Sequence, residues 1–212
     1  MKNADPRSVA PSRAHTTRHP EVPVQPDVER ELLRKCRGGD ARFYEPLVRA
    51  YEPQGLRLAL GMMGNMEDAQ DALQEAFVKA FRSLGQFDLK RPFGPWFLQI
   101  VRNQCRDLLR SRKSRFRVEV LDEDSFRYRA DDGPGSTQRQ RERSDARRLL
   151  WQGLERVPDE HREVLVLKEL QGLRYQEIAG ILDIPEGTVA SRLYHARRAL
   201  KEALEAVGAE YP

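Results

Sequence analysis

Between Arg174 and Leu204 the chain reads RYQEIAGILDIPEGTVASRLYHARRALKEAL, and the polar residues of its second half have the types that meet DNA. Val189, Leu193, Ala196 and Leu200 recur at steps of four, three and four, the spacing of one buried helix face. Ala190, Ser191, Tyr194, His195, Arg197 and Arg198 must then point outward. Such a basic, hydrogen-bonding face suits a major groove, with the first turns reaching base edges and the arginines further along meeting phosphates.

Two further constellations lie upstream. Arg102, Arg106, Arg110 and Lys113 repeat at steps of four, four and three, a basic stripe that can track phosphates, and Asn103 beside it can donate and accept toward a base. The loop before it offers Gln86, Phe87, Asp88, Lys90, Arg91 and Phe93, a mixture of stacking and hydrogen-bonding groups suited to an unstacked base in single-stranded DNA. The alternative is a plain exposed loop, and Phe93 and Trp96 fit a core better than a base platform. On an earlier helix Asp68, Asp71, Gln74 and Glu75 form an acidic stripe with Val78 beside them. This stripe suits docking on a basic protein surface; a solvated face with a stray valine is the plainer reading.

Helices must position all three groups. Asp27 suits the N-cap of a helix over 28–37, and Asp40, after Gly38 and Gly39, caps the next, which carries Phe43, Leu47, Val48 and Tyr51. Pro53 marks a bend or a new start, and Leu56 to Met63 continues to Gly64-Asn65. From Glu67 to Leu84 the apolar set Ala69, Ala72, Leu73, Ala76, Phe77, Ala80, Phe81 and Leu84 predicts one amphipathic helix. Gly85 to Pro95 is a loop, and a helical face returns from Trp96 to about Arg112. Residues 114–143 lack a period and read as an extended linker. Leu149, Leu150, Leu154 and Val157 begin a second helical unit; after Pro158, Val164, Leu165, Leu167 and Leu170 lead into the helix-turn-helix, where Ile178, Ala179 and Leu182 make the first helix and Pro185 opens the second. The expected fold is all-α, two small helical domains on a flexible linker, with boundaries at 1–26 for a disordered tail rich in proline, 27–113, 114–143 and 144–207.

Charge segregation matters more than the net +4 from 37 Lys+Arg and 33 Asp+Glu. Residues 102–117 hold seven basic side chains against Asp107 alone, whereas 119–132 is rich in carboxylates, so a polyanion is drawn to the first block and repelled by the second. Cys36 and Cys105 lack partners at metal-ligand spacing and read as buried free thiols of a reducing cytoplasm. No apolar run has the length of a membrane span and the start lacks the apolar core of a signal peptide, so a cytoplasmic protein without membrane insertion is expected. With no nucleophile and base set, glycine-rich phosphate loop or metal-ligand spacing, no catalytic residue, metal or cofactor is expected, and His161 and His195 read as surface residues.

The runs DAQDALQEAFVKAFRSLGQFD, PFGPWFLQIVRNQCRDLLRSR and, after the linker, LERVPDEHREVLVLKELQGLRYQEIAGILDIPEGTVASRLYHARRAL resemble the bacterial RNA polymerase sigma factors of the extracytoplasmic-function group. The resemblance covers about residues 28–205. It implies a sigma region 2 whose helix with Asp68, Asp71, Gln74, Glu75 and Val78 binds the clamp coiled coil of core polymerase. It implies that the loop 85–93 and the helix with Arg102, Asn103, Arg106 and Arg110 open the promoter near −10 and capture a flipped base. A sigma region 4 would read the −35 element through Ala190, Ser191, Tyr194 and His195, with Thr188, Arg192, Arg197 and Arg198 supporting phosphate contacts or helix geometry. Relatives often carry arginine where Ala190 and His195 stand, which implies a different preferred element. A cognate anti-sigma factor is the further partner usual in this group.

The competing reading is a helix-turn-helix regulator that binds duplex DNA without being a polymerase subunit. It accounts for the C-terminal motif but not for the acidic and basic stripes together.

Overall fold

In a computed structural model of the chain, the described residues are 24–116 and 138–208, and all their regular structure is helical. Helix α1 (Pro26–Arg37) starts two residues before the expected place, because Pro26 sits in the first turn, where no N–H is needed, with Gln25 rather than Asp27 as N-cap. Asp40 accepts from the Arg42 amide as expected, opening a short 3-10 turn (Ala41–Phe43) ahead of α2 (Tyr44–Met63). Pro53 lies inside α2 and opens no new helix. Gly64 ends it with φ of 79°, and Asn65 caps α3 (Met66–Ser83) by accepting from the Asp68 amide at 2.9 Å. Helix α4 (Phe93–Phe116) begins inside the expected loop, with Pro95 in its first turn.

Helices α2, α3 and α4 pack on one another around Leu47, Tyr51, Leu58, Ala69, Ala76, Phe93, Phe97 and Val101, each at most 1% exposed. The aromatic stack explains the density: Phe97 lies 4.4 Å from Phe77 and 5.7 Å from Phe93, ring centroid to centroid. Glu29, a buried carboxylate on α1, accepts from the Tyr51 hydroxyl and, at 3.1 Å, from the Phe93 amide at the start of α4. It offsets the positive end of that helix from 64 residues away.

Helix α5 (Gln138–Arg156) reaches back into the segment expected as linker, since QRQRER has helix-forming residues but no apolar period to reveal them. Helix α6 (Asp159–Leu165) runs on into one π-helical turn (Val166–Leu170). Helices α7 (Tyr175–Leu182) and α8 (Glu186–Ala206) form the helix-turn-helix, with Pro185 at the N-cap of α8 instead of inside it. Asp183 makes the turn in the left-handed region, φ 55°, and the Ile184 amide bonds to the Ala179 carbonyl at 3.1 Å. Val189, Leu193 and Ala196 are fully buried against α5 and α6. The tail and the linker expected at 1–26 and 114–143 lie outside the described residues except for 24–26, 114–116 and 138–143.

The two bundles are packed against each other through α2, α4, α6, the π turn and α7. A Cβ on Gly61 of α2 would meet both Val166 methyls at 2.6 Å, so the backbones approach as closely as glycine permits. The Gln171 side-chain amide donates to the Gln54 carbonyl at 2.8 Å, and Arg162 donates to the Met62 carbonyl at 3.2 Å while its other nitrogen bonds Glu155 and Val157 carbonyls.

Candidate nucleic-acid and polymerase interfaces

On α3 the spacing that buries Ala69, Ala72, Leu73, Ala76 and Phe77 turns Asp71, Gln74, Glu75 and Val78 to solvent. These four stand as expected on one open face. Asp68 does not join them: its carboxylate is 16% exposed, pairs with both terminal nitrogens of Arg112 and takes a further hydrogen bond from the Asn65 side chain. Burial pushes its pKa up, but the Arg112 and Asn65 hydrogen bonds and the Arg112 charge outweigh that and hold it below the usual carboxylate value. Asp68 is thus a clasp between α3 and α4. Phe81, expected in the core, is 39% exposed, because the apolar stripe of α3 is wider than the face α2 and α4 cover. It lies 4.9 Å from Tyr44, and with Val78, Val48, Leu56 and Phe77 it lines an open apolar groove beside the acidic face. An acidic rim along an apolar trough fits a helical partner with basic and apolar residues.

The loop ahead of α4 divides its residues between two tasks. Gln86, Asp88, Lys90 and Arg91 are exposed, but the Asp88 carboxylate accepts from the Lys90 amide at 2.9 Å and its carbonyl from Arg91 at 2.9 Å, so Asp88 shapes the turn. Phe87, expected among the DNA-facing groups, is 3% exposed, with ring centroids 4.5 Å from Trp96 and 6.0 Å from Phe93. A ring sandwiched there has no free face for a base. Phe93, offered with Phe87 as a stacking group, is likewise fully buried, and Trp96 is half-buried against the same cluster, as expected.

The basic stripe of α4 is only partly turned outward. Arg110 and Asn103 are exposed, Arg106 is half-buried, and Arg102 has a side chain 12% exposed. Arg102 faces the second bundle instead of solvent. Its Nε and Nη2 donate to Oε2 of Glu163 on α6 at 3.1 and 2.9 Å, and Nη1 donates to Asn103 at 3.2 Å. Arg106 Nε stands 3.5 Å from the other Glu163 oxygen. Glu163 is 1% exposed. Sequence reasoning missed it; an acid inside the apolar run EVLVL was the signal available. The side chain of Lys113 lies outside the described residues.

On α8 the outward face is as the periodicity requires. Ala190, Ser191, Tyr194 and His195 are exposed, Tyr194 at 68% with its ring edge-on to His195 at 5.3 Å. Thr188 is half-buried. Arg192 bonds Glu160 at 3.1 Å, Arg197 bonds Glu169 at 2.8 Å and Arg198 bonds Glu202 at 2.9 Å. The last two are surface pairs that a DNA phosphate can replace at little cost. His195 is exposed, but His161 is half-buried with its ring 6.3 Å from that of His195.

Two family models match the chain, Sigma-70 region 2 over residues 47–115 and Sigma-70, region 4 over residues 147–200. The RNA polymerase sigma-H factor of Pseudomonas aeruginosa is 32% identical over 181 residues, covering 84% of this chain and 94% of that protein. The ECF RNA polymerase sigma factor SigW of Bacillus subtilis is 30% identical over 182 residues, 82% of this chain and 96% of its own. Among solved structures, CnrH in complex with the cytosolic domain of CnrY superposes with a TM-score of 0.60 and 26% identity over 85% of this chain and 99% of its own. The sigma factor RpoE bound to the anti-sigma factor NepR from Bartonella quintana shares the fold, with a TM-score of 0.60 and 22% identity over 76% of this chain and 96% of its own.

Proposed function

Since the chain belongs to the extracytoplasmic-function group of bacterial RNA polymerase sigma factors, we propose how its surfaces divide the work of initiation. It is an alternative sigma factor that binds core RNA polymerase and directs transcription from chosen promoters. Its relatives are transcription factors, not enzymes. Residues 27–113 serve as region 2 and 144–207 as region 4.

Asp71, Gln74, Glu75 and Val78, with the groove beside them, dock on the basic clamp helices of core polymerase. Gln86, Lys90 and Arg91, together with Arg102, Asn103, Arg106 and Arg110, engage the separated strand at −10. Ala190, Ser191, Tyr194 and His195 read the −35 element in the major groove, and Arg192, Arg197 and Arg198 neutralise its phosphates. The observation that carries this reading is one chain with an acidic docking face and two basic faces of different character, on the two bundles that match regions 2 and 4. The chain acts in the cytoplasm, where the polymerase is, and no helix among the described residues is long and apolar enough to cross a membrane. A cognate anti-sigma factor restrains it.

The test is transcription in vitro with purified core enzyme on a genomic promoter library. Defined start sites that move when Ser191 or Tyr194 becomes alanine support the assignment. DNA binding without any core association favours the stand-alone regulator.

A further inference from the structure

His161 stands in the first turn of α6, half-buried beside the outward face of α8. Its backbone is firmly held: the His161 and Arg162 amides both donate to the Pro158 carbonyl at 2.9 Å, and the Arg162 side chain bonds the Glu155 and Val157 carbonyls. The ring is less well provided for. Its Nδ1 is shut off from solvent and has no hydrogen-bond partner among the described residues. A buried polar atom without a partner costs stability, and an aliphatic side chain would fill the same space without one. What an aliphatic chain cannot offer is a flat face.

That face is in use. The His161 ring lies 6.3 Å from the His195 ring, centroid to centroid, with 17° between the planes, an offset-stacked arrangement. From its own helix, Tyr194 meets His195 edge-on at 5.3 Å and 80°. His195 is therefore braced by two rings from two helices, although it is itself exposed. A neighbouring contact runs in parallel, since Glu160 bonds Arg192 at 3.1 Å. Consecutive residues of α6 thus reach positions 192 and 195 of α8, which lie one turn apart on one strip of that helix.

The consequence concerns how sharply a base can be read. An imidazole aims each donor or acceptor along one line in the plane of its ring, whereas a guanidinium offers a fork of five donors. A hydrogen bond weakens steeply as it bends, so the value of a histidine at a base edge depends on the orientation of its ring. An unsupported histidine has to be ordered on binding; a stacked one has its plane set beforehand. We propose that His161 is a positioning residue for promoter recognition: by stacking on His195 it presets that ring and sharpens selectivity at the base pair His195 reaches, acting through His195 and not on DNA. This inference rests on the assignment of His195 to the −35 element.

The test uses holoenzyme reconstituted from core polymerase and the full-length chain. It is presented with promoter duplexes in which the −35 element is randomised, and the bound fragments are sequenced to give the preference at each base pair. His195→Ala should flatten the preference at one position, which identifies the base pair that it reads. His161→Ala should lower the preference at that same position about fivefold, within the range of coupling between side chains in contact, and leave the other positions unchanged. His161→Phe keeps a flat ring and should restore the preference, while His161→Leu fills the space without a ring and should not. These two variants carry the test should His161→Ala fail to fold. Combining His161→Ala with His195→Ala should do no more than His195→Ala alone.

Leucine restoring selectivity as well as phenylalanine overturns the proposal, because packing alone would then suffice. So does a loss in the double variant beyond that of His195→Ala, or a loss spread over every position of the element. If His195→Ala leaves all positions unchanged, the −35 assignment of that residue is wrong and the role of His161 falls with it. If it flattens one position that no His161 variant touches, only the role of His161 is wrong.

Discussion

The two basic helices carry similar side chains under different electrostatic conditions. On α8, Arg197 and Arg198 are paired with Glu169 and Glu202, and every member of those pairs is at least half exposed, so each pair contributes roughly 0–1 kcal/mol and yields readily to phosphate. On α4, Arg102 is paired with a carboxylate that water does not reach. Freeing it requires moving a whole bundle. The α8 arginines can therefore exchange partners freely, whereas Arg102 is held where the two bundles meet.

The largest effect that can sharpen this contrast is on stability. Phe97→Ala removes a fully buried ring from the first bundle and should cost about 3–5 kcal/mol. The chain's two tryptophans, Trp96 and Trp151, lie one in each bundle and report on them separately once each is replaced in turn by phenylalanine. If the bundles hold together as described, both fluorescence transitions in urea shift with Phe97→Ala. A shift confined to the Trp96 signal breaks the picture of a coupled pair.

Next in size is the docking face. Asp71→Arg with Glu75→Arg places like charge against a basic partner and should weaken core polymerase binding on the order of a hundredfold. Helix content should hold, since both side chains are exposed. Surface plasmon resonance against core enzyme measures the first and circular dichroism the second; unchanged affinity rules out this face. Tyr194→Ala should then cost about 1–3 kcal/mol at the preferred −35 sequence and relax selectivity there. Competition binding with duplex promoter variants measures that loss, and core affinity should not move.

The smallest effect is a pH dependence confined to the first bundle. Asp68 titrates below its unfolded value, roughly pH 4, because of Arg112 and Asn65. Its contribution is complete above that unfolded value and disappears as the pH falls through the folded one. Urea midpoints measured from pH 6 down to pH 2 should fall more steeply for the native chain than for Arg112→Ala, and parallel curves would deny the clasp its role.

Local periodicity revealed what local packing decides. The buried face of α8, the acidic face of α3 and the cap at Asp40 follow from spacing and short-range hydrogen bonds, and all could be read in advance. What stayed hidden depends on distant partners. Phe87 sits in an aperiodic loop, and its burial requires knowing that Trp96 and Phe93 close over it. Asp68 shares its helix face with Asp71, but Arg112 reaches only one of them. The inward turn of Arg102 depends on Glu163, 61 residues away across the linker, and helical spacing fixes an angle around one axis without saying what stands opposite. Gly55 and Gly61 in α2 both admit a close neighbour, but nothing in the spacing says that one meets Leu73 of the same bundle and the other Val166 of the second.

Glu29 carries a consequence for timing. By holding the Tyr51 hydroxyl and the first amide of α4, it anchors the downstream end of the loop ahead of α4 to the bundle floor, while the Asp88 turn stiffens its middle. A nucleotide bound there, as proposed, would meet a rim whose backbone is already fixed. Little ordering entropy would remain to be lost on such binding, and selectivity would rest on the few side chains that project from that rim.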